Sequence, residues 1–131
     1  MKIFVDANVL FTAAYSPMGK AATLLECSAL SFVTSDYAAE EARRNLLVKR
    51  PSALSALEKI LEKIELAPSV QSGVCPIVLP LKDQPIFLSA LMIKATHLLT
   101  GDRKDFGPFM NSPDKSAGLI IQTVSDFLAS L

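Results

Sequence analysis

The stretch KIFVDANVL, residues 2–10, sets the frame for the whole chain. Ile3, Phe4 and Val5 form an uninterrupted apolar run. An unbroken run, rather than an alternating one, is the pattern of a short strand covered on both faces, as in a parallel sheet. The run stops at Asp6, so the polar end of the strand is a carboxylate. A similar arrangement recurs far along the chain, where HLLT (residues 97–100) reads as a strand closed by Gly101 and followed by Asp102.

Between and beyond these strands the pattern is helical. Ser16 followed by Pro17 is a helix-start signal, and Ala21, Ala22, Leu24, Leu25, Ala29 and Leu30 supply an apolar face through residue 30. A strand at 32–34 follows. Ser35 or Asp36 is placed to cap the next helix, which runs to about Lys49 before Pro51 ends it. Ser52 is expected to cap a further amphipathic helix carrying Leu54, Leu57, Ile60, Leu61 and Ile64 on one face. Residues 65–82, with Pro68, Gly73, Pro76 and Pro80, read as a loop holding one or two brief strands. From Gln84 to about Ala95 apolar residues nearly encircle a helix, which is therefore central or covered by a partner. Residues 119–124 give a last strand, and Ser125 caps a short terminal helix. Strands alternating with helices, with no tight hairpin, predict a three-layer α/β/α fold around a central parallel sheet of four to five strands.

Composition narrows the function. The chain has 131 residues, half of them apolar, which suits one domain over residues 1–131 with enough chain to bury a core. Its 13 basic and 13 acidic residues cancel, so contact with nucleic acid must come from a local patch. Cys27 and Cys75 form no CxxC and are expected to be buried free thiols in a reducing compartment. No signal-peptide pattern and no run of ~18 apolar residues is present, which predicts a soluble, cytoplasmic protein without a membrane partner. The one histidine, His97, opens a buried strand and is read as structural; no Ser/His/Asp triad is marked around it. The glycines make neither a P-loop nor a GxGxxG.

Four acids stand where a strand end or helix start would carry them: Asp6, Glu41 in AAEEARRNL, Asp83 in LKDQPIF and Asp102 in LLTGDRKDF. In open α/β sheets the functional crevice lies beyond the carboxyl ends of the strands. Asp6 and Asp102 therefore open onto one edge if their strands are neighbours. Each acid also has a plain explanation: Asp6 and Asp83 as caps, Asp102 as a turn residue, and Glu41, like Glu40, as part of a solvated helix start. Glu41 shares a helical stripe with Ala38, Ala42 and Asn45, which favours it over Glu40 for an inward position; the choice between the two stays open. Carboxylates without a matching His or Cys set favour Mg²⁺ or Mn²⁺ over zinc.

Taken in order, the strand ending in DANVL, the TSDYAAEEARRNL helix, the DQPIFLSAL helix and the LLTGDRKDF strand-turn resemble the PIN domain family of metal-dependent ribonucleases, over roughly residues 1–127. The resemblance implies an endoribonuclease whose Mg²⁺ or Mn²⁺ is bound by Asp6, Glu41, Asp83 and Asp102. Asn8 and Thr100 would orient those acids or a metal-bound water, and Asp105 is a further candidate acid. Arg103 and Lys104, beside Asp102, and Arg43 and Arg44, after Glu41, are candidates for RNA contact. Many bacterial members resemble VapC toxins, which implies an antitoxin partner, and a homodimer is expected. The alternative is a catalytically inactive PIN-like binding or regulatory module acting through oligomer or RNA contacts.

Overall fold

The computed structural model of the chain describes residues 1–70 and 72–131. In chain order the elements are β1 (Lys2–Val5), α1 (Ala7–Tyr15), α2 (Lys20–Leu25), β2 (Ser31–Ser35), α3 (Asp36–Lys49), α4 (Leu54–Lys63), β3 (Glu65–Ala67), α5 (Gln84–Met92), β4 (His97–Leu99), β5 (Ile120–Gln122) and α6 (Val124–Ala129). The strands pair in parallel throughout, in the order β3-β2-β1-β4-β5. Parallel strands need crossovers, and right-handed crossovers place the helices between β1 and β3 on one face and α5 on the other. The three-layer arrangement expected from the alternation is the one observed.

The chain builds outward from β1 to β3, then returns to lay β4 and β5 against the other side of β1. The strand order therefore reverses between β1 and β4, where the crevice of an open parallel sheet is formed. Register fixes the detail: Val5 lies opposite Leu99, and the Asp6 N–H donates to Leu99 O at 3.0 Å. The ends of β1 and β4 are thus level. Ile3, Phe4, Val5, Leu98 and Leu99 are fully buried, which is why residues 3–5 read as an unbroken apolar run.

Several local expectations need correction. Residues 7–15 form α1, which buries Ala7, Val9, Leu10, Ala13 and Ala14 and packs on α2, α3 and α4. Ser16 and Pro17 close this helix instead of opening the next: the Ser16 N–H donates to Thr12 O at 2.9 Å, and a proline disfavours helix at the residue before it. The second helix starts at Lys20 and stops at Leu25, leaving Ala29 exposed. Ser52 sits in a 3₁₀ turn, Pro51–Ala53, and α4 begins without a side-chain cap. At α6 the cap is Thr123 rather than Ser125, its hydroxyl accepting from Asp126 N at 3.1 Å. Ser35 does cap α3, accepting from Ala38 N at 3.2 Å.

The helix expected at 84–95 ends at Met92, because Lys94 adopts φ 58° and turns the chain into β4. Its apolar residues divide into a buried face, with Ile86, Phe87 and Ala90, and an exposed Met92. Within 65–82, Glu65–Ala67 is the one strand among the described residues; residue 71 lies outside them. Cys27 is exposed on the turn after α2 and Cys75 is half-buried, so the expected burial of the thiols fails where α2 ends early. His97 meets Phe127 edge-on at 5.3 Å, and burial lowers its pKa. No helix among the described residues is long and apolar enough to cross a membrane.

Candidate metal centre

Asp6 leaves β1 directly into the crevice and is 4% exposed. Its Oδ1 accepts from Ala7 N at 2.6 Å, capping α1, so the helix-cap reading of this acid is correct as far as one oxygen goes. Oδ2 accepts from the Thr100 hydroxyl at 2.7 Å, across the β1/β4 boundary. The same hydroxyl accepts from Asn8 Nδ2 at 3.2 Å and from Asp102 N at 3.1 Å, which uses its one donor and both lone pairs. Asn8 Oδ1 accepts from Gly101 N at 2.8 Å. Asn8 and Thr100 therefore lock the ends of β1 and β4 together and fix where Asp6 and Asp102 point.

Asp102 begins a turn in which its Oδ1 accepts from Lys104 N at 3.1 Å and Asp105 N at 3.0 Å. That turn carries Asp105 back toward the crevice, where Asp83 arrives from the start of α5. One carboxylate oxygen from each of Asp83, Asp102 and Asp105 lies within 4.8 Å of the other two. Asp83 occupies the N-cap position of α5 but makes no capping hydrogen bond; its backbone there is helical (φ −97°, ψ −16°), which turns the side chain away from the helix end. Asp83 is 8% exposed, and its Oδ2 has no hydrogen-bond partner among the described residues. A buried carboxylate oxygen without a donor is costly, and it needs a proton or a cation.

The acids sense one another. Burial, above all, pushes the Asp83 carboxyl up to about 7, with Asp105 and Asp102 raising it further against the opposing pull of Lys82. Burial also pushes Asp6 up to about 6, opposed by the Thr100 and Ala7 hydrogen bonds and reinforced by the charges of Glu41 and Asp102. So the crevice brings Asp83, Asp102 and Asp105 into one tight group, with Asp6 and Glu41 acting on it from beside. Asp105, a subsidiary candidate in the sequence, belongs to the tight group. Lys82 Nζ lies 3.9 Å from Asp105 Oδ2, a weak pairing in which the lysine is exposed.

On α3, Glu41 is half-buried while Glu40 faces out and pairs with Arg43 Nη1 at 2.7 Å, rather than with Arg44 as i,i+4 spacing suggests. Arg43 also binds Glu58 through Nε at 2.8 Å and Nη2 at 2.9 Å, so α3 and α4 are clamped by a guanidinium with two partners. Arg44, Arg103 and Lys104 are exposed, with no ion pair among the described residues. Tyr37 was not evident from the sequence as part of this region. It lies one helical turn before Glu41, its hydroxyl donates to Lys82 O at 2.7 Å, and its N–H donates to Ser69 Oγ at 2.8 Å. It pins the segment that presents Asp83. Burial, with the charges of Glu41 and Asp83, raises its pKa.

The donor set is all oxygen, and one of those oxygens is buried and unpartnered, which fits a hard divalent cation and not zinc. For the metal-free protein this has a consequence for stability. Both acids have an ordinary value of 3.8 and are raised in the fold, so the stability they contribute is fully present below about pH 4. It is lost as pH rises through about 6 for Asp6 and about 7 for Asp83. Denaturant titrations in chelator should show stability falling by a few kcal/mol between about pH 4 and 8 from this source. A flat or rising profile over that range would contradict the burial of these two carboxyls.

The five-stranded parallel sheet with its flanking helices and acid-lined crevice is a PIN-like α/β fold. Solved structures similar to it include VapBC2 from Rickettsia felis, crystallised with a DNA fragment from its promoter, at 18% identity and TM-score 0.68, covering 94% of this chain and 98% of that one. VapBC-1 from nontypeable Haemophilus influenzae matches at 16% identity and TM-score 0.60, over 95% and 99% of the two chains. PAE2754 from Pyrobaculum aerophilum matches at 20% identity and TM-score 0.62, over 99% and 88%. At these identities the likeness establishes the fold. No family model matches the chain, and no curated protein matches it by the same standard.

Proposed function

We propose that the chain is a metal-dependent endoribonuclease that hydrolyses RNA phosphodiesters in the crevice between β1 and β4. The observation that carries this reading is the buried, unpartnered Oδ2 of Asp83 within reach of Asp102 and Asp105. Asp6, Asp83 and Asp102 would hold Mg²⁺ or Mn²⁺, with Glu41 and Asp105 completing or supporting the set. When bound, the ion supplies an activated water and counter-charge for the phosphate. Asn8 and Thr100 keep Asp6 and the Asp102 turn in fixed relation, so the site needs little rearrangement to accept substrate. Arg103 and Lys104, on the turn that starts at Asp102, attract the RNA backbone, and Arg44 does so from α3. Arg43 stays with its two glutamates. The direct test is degradation of labelled RNA by protein stripped of metal and then resupplied, with a variant at Asp83 as control.

A finer reading makes this nuclease the toxin of a type II toxin-antitoxin pair. It draws support from the VapBC structures, whose fold the chain shares. It expects a gene for a small DNA-binding protein beside this one, whose product co-purifies with the chain and suppresses its RNA cleavage. A neighbour that binds without affecting cleavage would remove the toxin reading and leave the nuclease. A second reading is a non-catalytic module that works by assembly. Exposed Leu47 and Val48 on α3, with Met92 on α5, favour contact between copies or with another protein. Metal-restored cleavage separates the two readings, and a homodimer is compatible with both.

A further inference from the structure

Immediately beside the acids lies a cavity of about 590 Å³. It shares Asn8, Gly101 and Asp102 with the metal centre, so the two adjoin at the Asn8–Gly101 hydrogen bond. Its floor is apolar, from Val9, Ala21 and Val124, and hydroxyls of Thr12 and Ser125 stand at its sides. Lys20 supplies its cation, and among the described residues that ammonium makes no ion pair.

We propose that this cavity is a nucleotide subsite, taking one unstacked nucleoside of single-stranded RNA next to the phosphate that is cut. The inference rests on the nuclease reading and deepens it. Volume, floor and rim agree with such a ligand. Small-molecule sites are mostly apolar clefts of roughly 300–1,000 Å³ with a few placed polar groups. A base can lie on the Val9, Ala21 and Val124 surface while hydroxyls meet its edge or the ribose, and Lys20 can meet a flanking phosphate as a point charge. Asp102 is the acid that the cavity shares with the metal centre. Asp102 Oδ1 is turned into its own loop, held by the N–H groups of Lys104 and Asp105. A base paired in a duplex cannot leave its stack without cost, so the subsite selects unpaired RNA.

The test is an NMR titration of the metal-free protein with nucleoside 5′-monophosphates, run beside an RNA cleavage assay on the same preparations. Saturable shifts at the amides of Lys20, Gly101 and Ser125 are expected. Ser125→Trp fills the cavity and should weaken binding by about tenfold or more, and Lys20→Ala by about three- to tenfold. Thr12→Trp, from α1 rather than α6, serves as a second block should Ser125→Trp fail to fold. Shifts scattered over the surface, or a footprint that survives both blocks, overturn the subsite. The failures are distinguishable: cleavage without a cavity footprint removes the subsite alone, and a cavity footprint without metal-dependent cleavage removes the nuclease reading on which the RNA assignment depends.

Discussion

Asp83→Asn is expected to lower RNA cleavage by about a hundredfold or more, the scale on which removing one group that stabilises transition-state charge acts. The same change should make the metal-free protein more stable. The burial that pushes the Asp83 carboxyl up to about 7 is a cost the fold bears whenever that group is ionised. An asparagine carries no charge, and its amide can donate to Asp102 or Asp105 in the space now holding an unpartnered oxygen. At pH 8 in chelator the gain should be on the order of a few kcal/mol, several degrees in melting temperature. Asp6→Asn is a less clean variant. Both Asp6 oxygens accept, Oδ1 from Ala7 N and Oδ2 from the Thr100 hydroxyl, whose lone pairs are already used, so an amide at position 6 sets its NH₂ against one of these two donors. Loss of activity there mixes chemistry with disruption of the β1/β4 junction. Asp83→Asn keeping full cleavage would remove Asp83 from the site.

Mg²⁺ or Mn²⁺ should raise the melting temperature of the wild-type protein. Carboxylates within 4.8 Å repel by about 3 kcal/mol per pair at an effective dielectric of ~20, and a divalent cation turns that repulsion into attraction. At ~100 times its dissociation constant an ion adds about 2.7 kcal/mol, which for a chain of this size is a rise of several degrees. The weak Lys82–Asp105 pairing is the contact the ion would replace. The effect should be larger at pH 8 than at pH 5, because protons compete for Asp83 and Asp6 at the lower pH. It should shrink sharply in Asp83→Asn. A melting temperature indifferent to both ions, up to tens of millimolar, would count against any metal role for this crevice.

The sheet was legible because its central strands are buried on both faces. Ile3–Val5 and the HLLT segment read as short buried strands, and the acid just past each marks the crevice. Helix ends were less legible. Ser16–Pro17 is chemically suited to start a helix or to finish one, and α1 was hidden because Asp6 draws attention as an acid while also serving as the cap that launches Ala7–Tyr15. Asp83 shows the converse. Its sequence, acid then Gln84 and Pro85, is that of a helix cap, and only the backbone angles reveal that it makes no capping bond. Asp105 could not be promoted from sequence, since its approach to Asp83 depends on the turn made by the Asp102 carboxylate. Tyr37 and Lys82 carried a signal that only tertiary contact makes meaningful: one precedes Glu41 by a helical turn, the other adjoins Asp83.

The proposed metal-dependent RNA cleavage by these carboxylates is tested most directly by incubating end-labelled single-stranded RNA with chelator-treated protein, wild type and Asp83→Asn side by side, before and after adding Mg²⁺ or Mn²⁺. Cleavage by the wild type only once metal is restored, with Asp83→Asn reduced by about a hundredfold or more, is the predicted result. Intact RNA in every wild-type lane, or equal cleavage by both proteins in chelator, would contradict it.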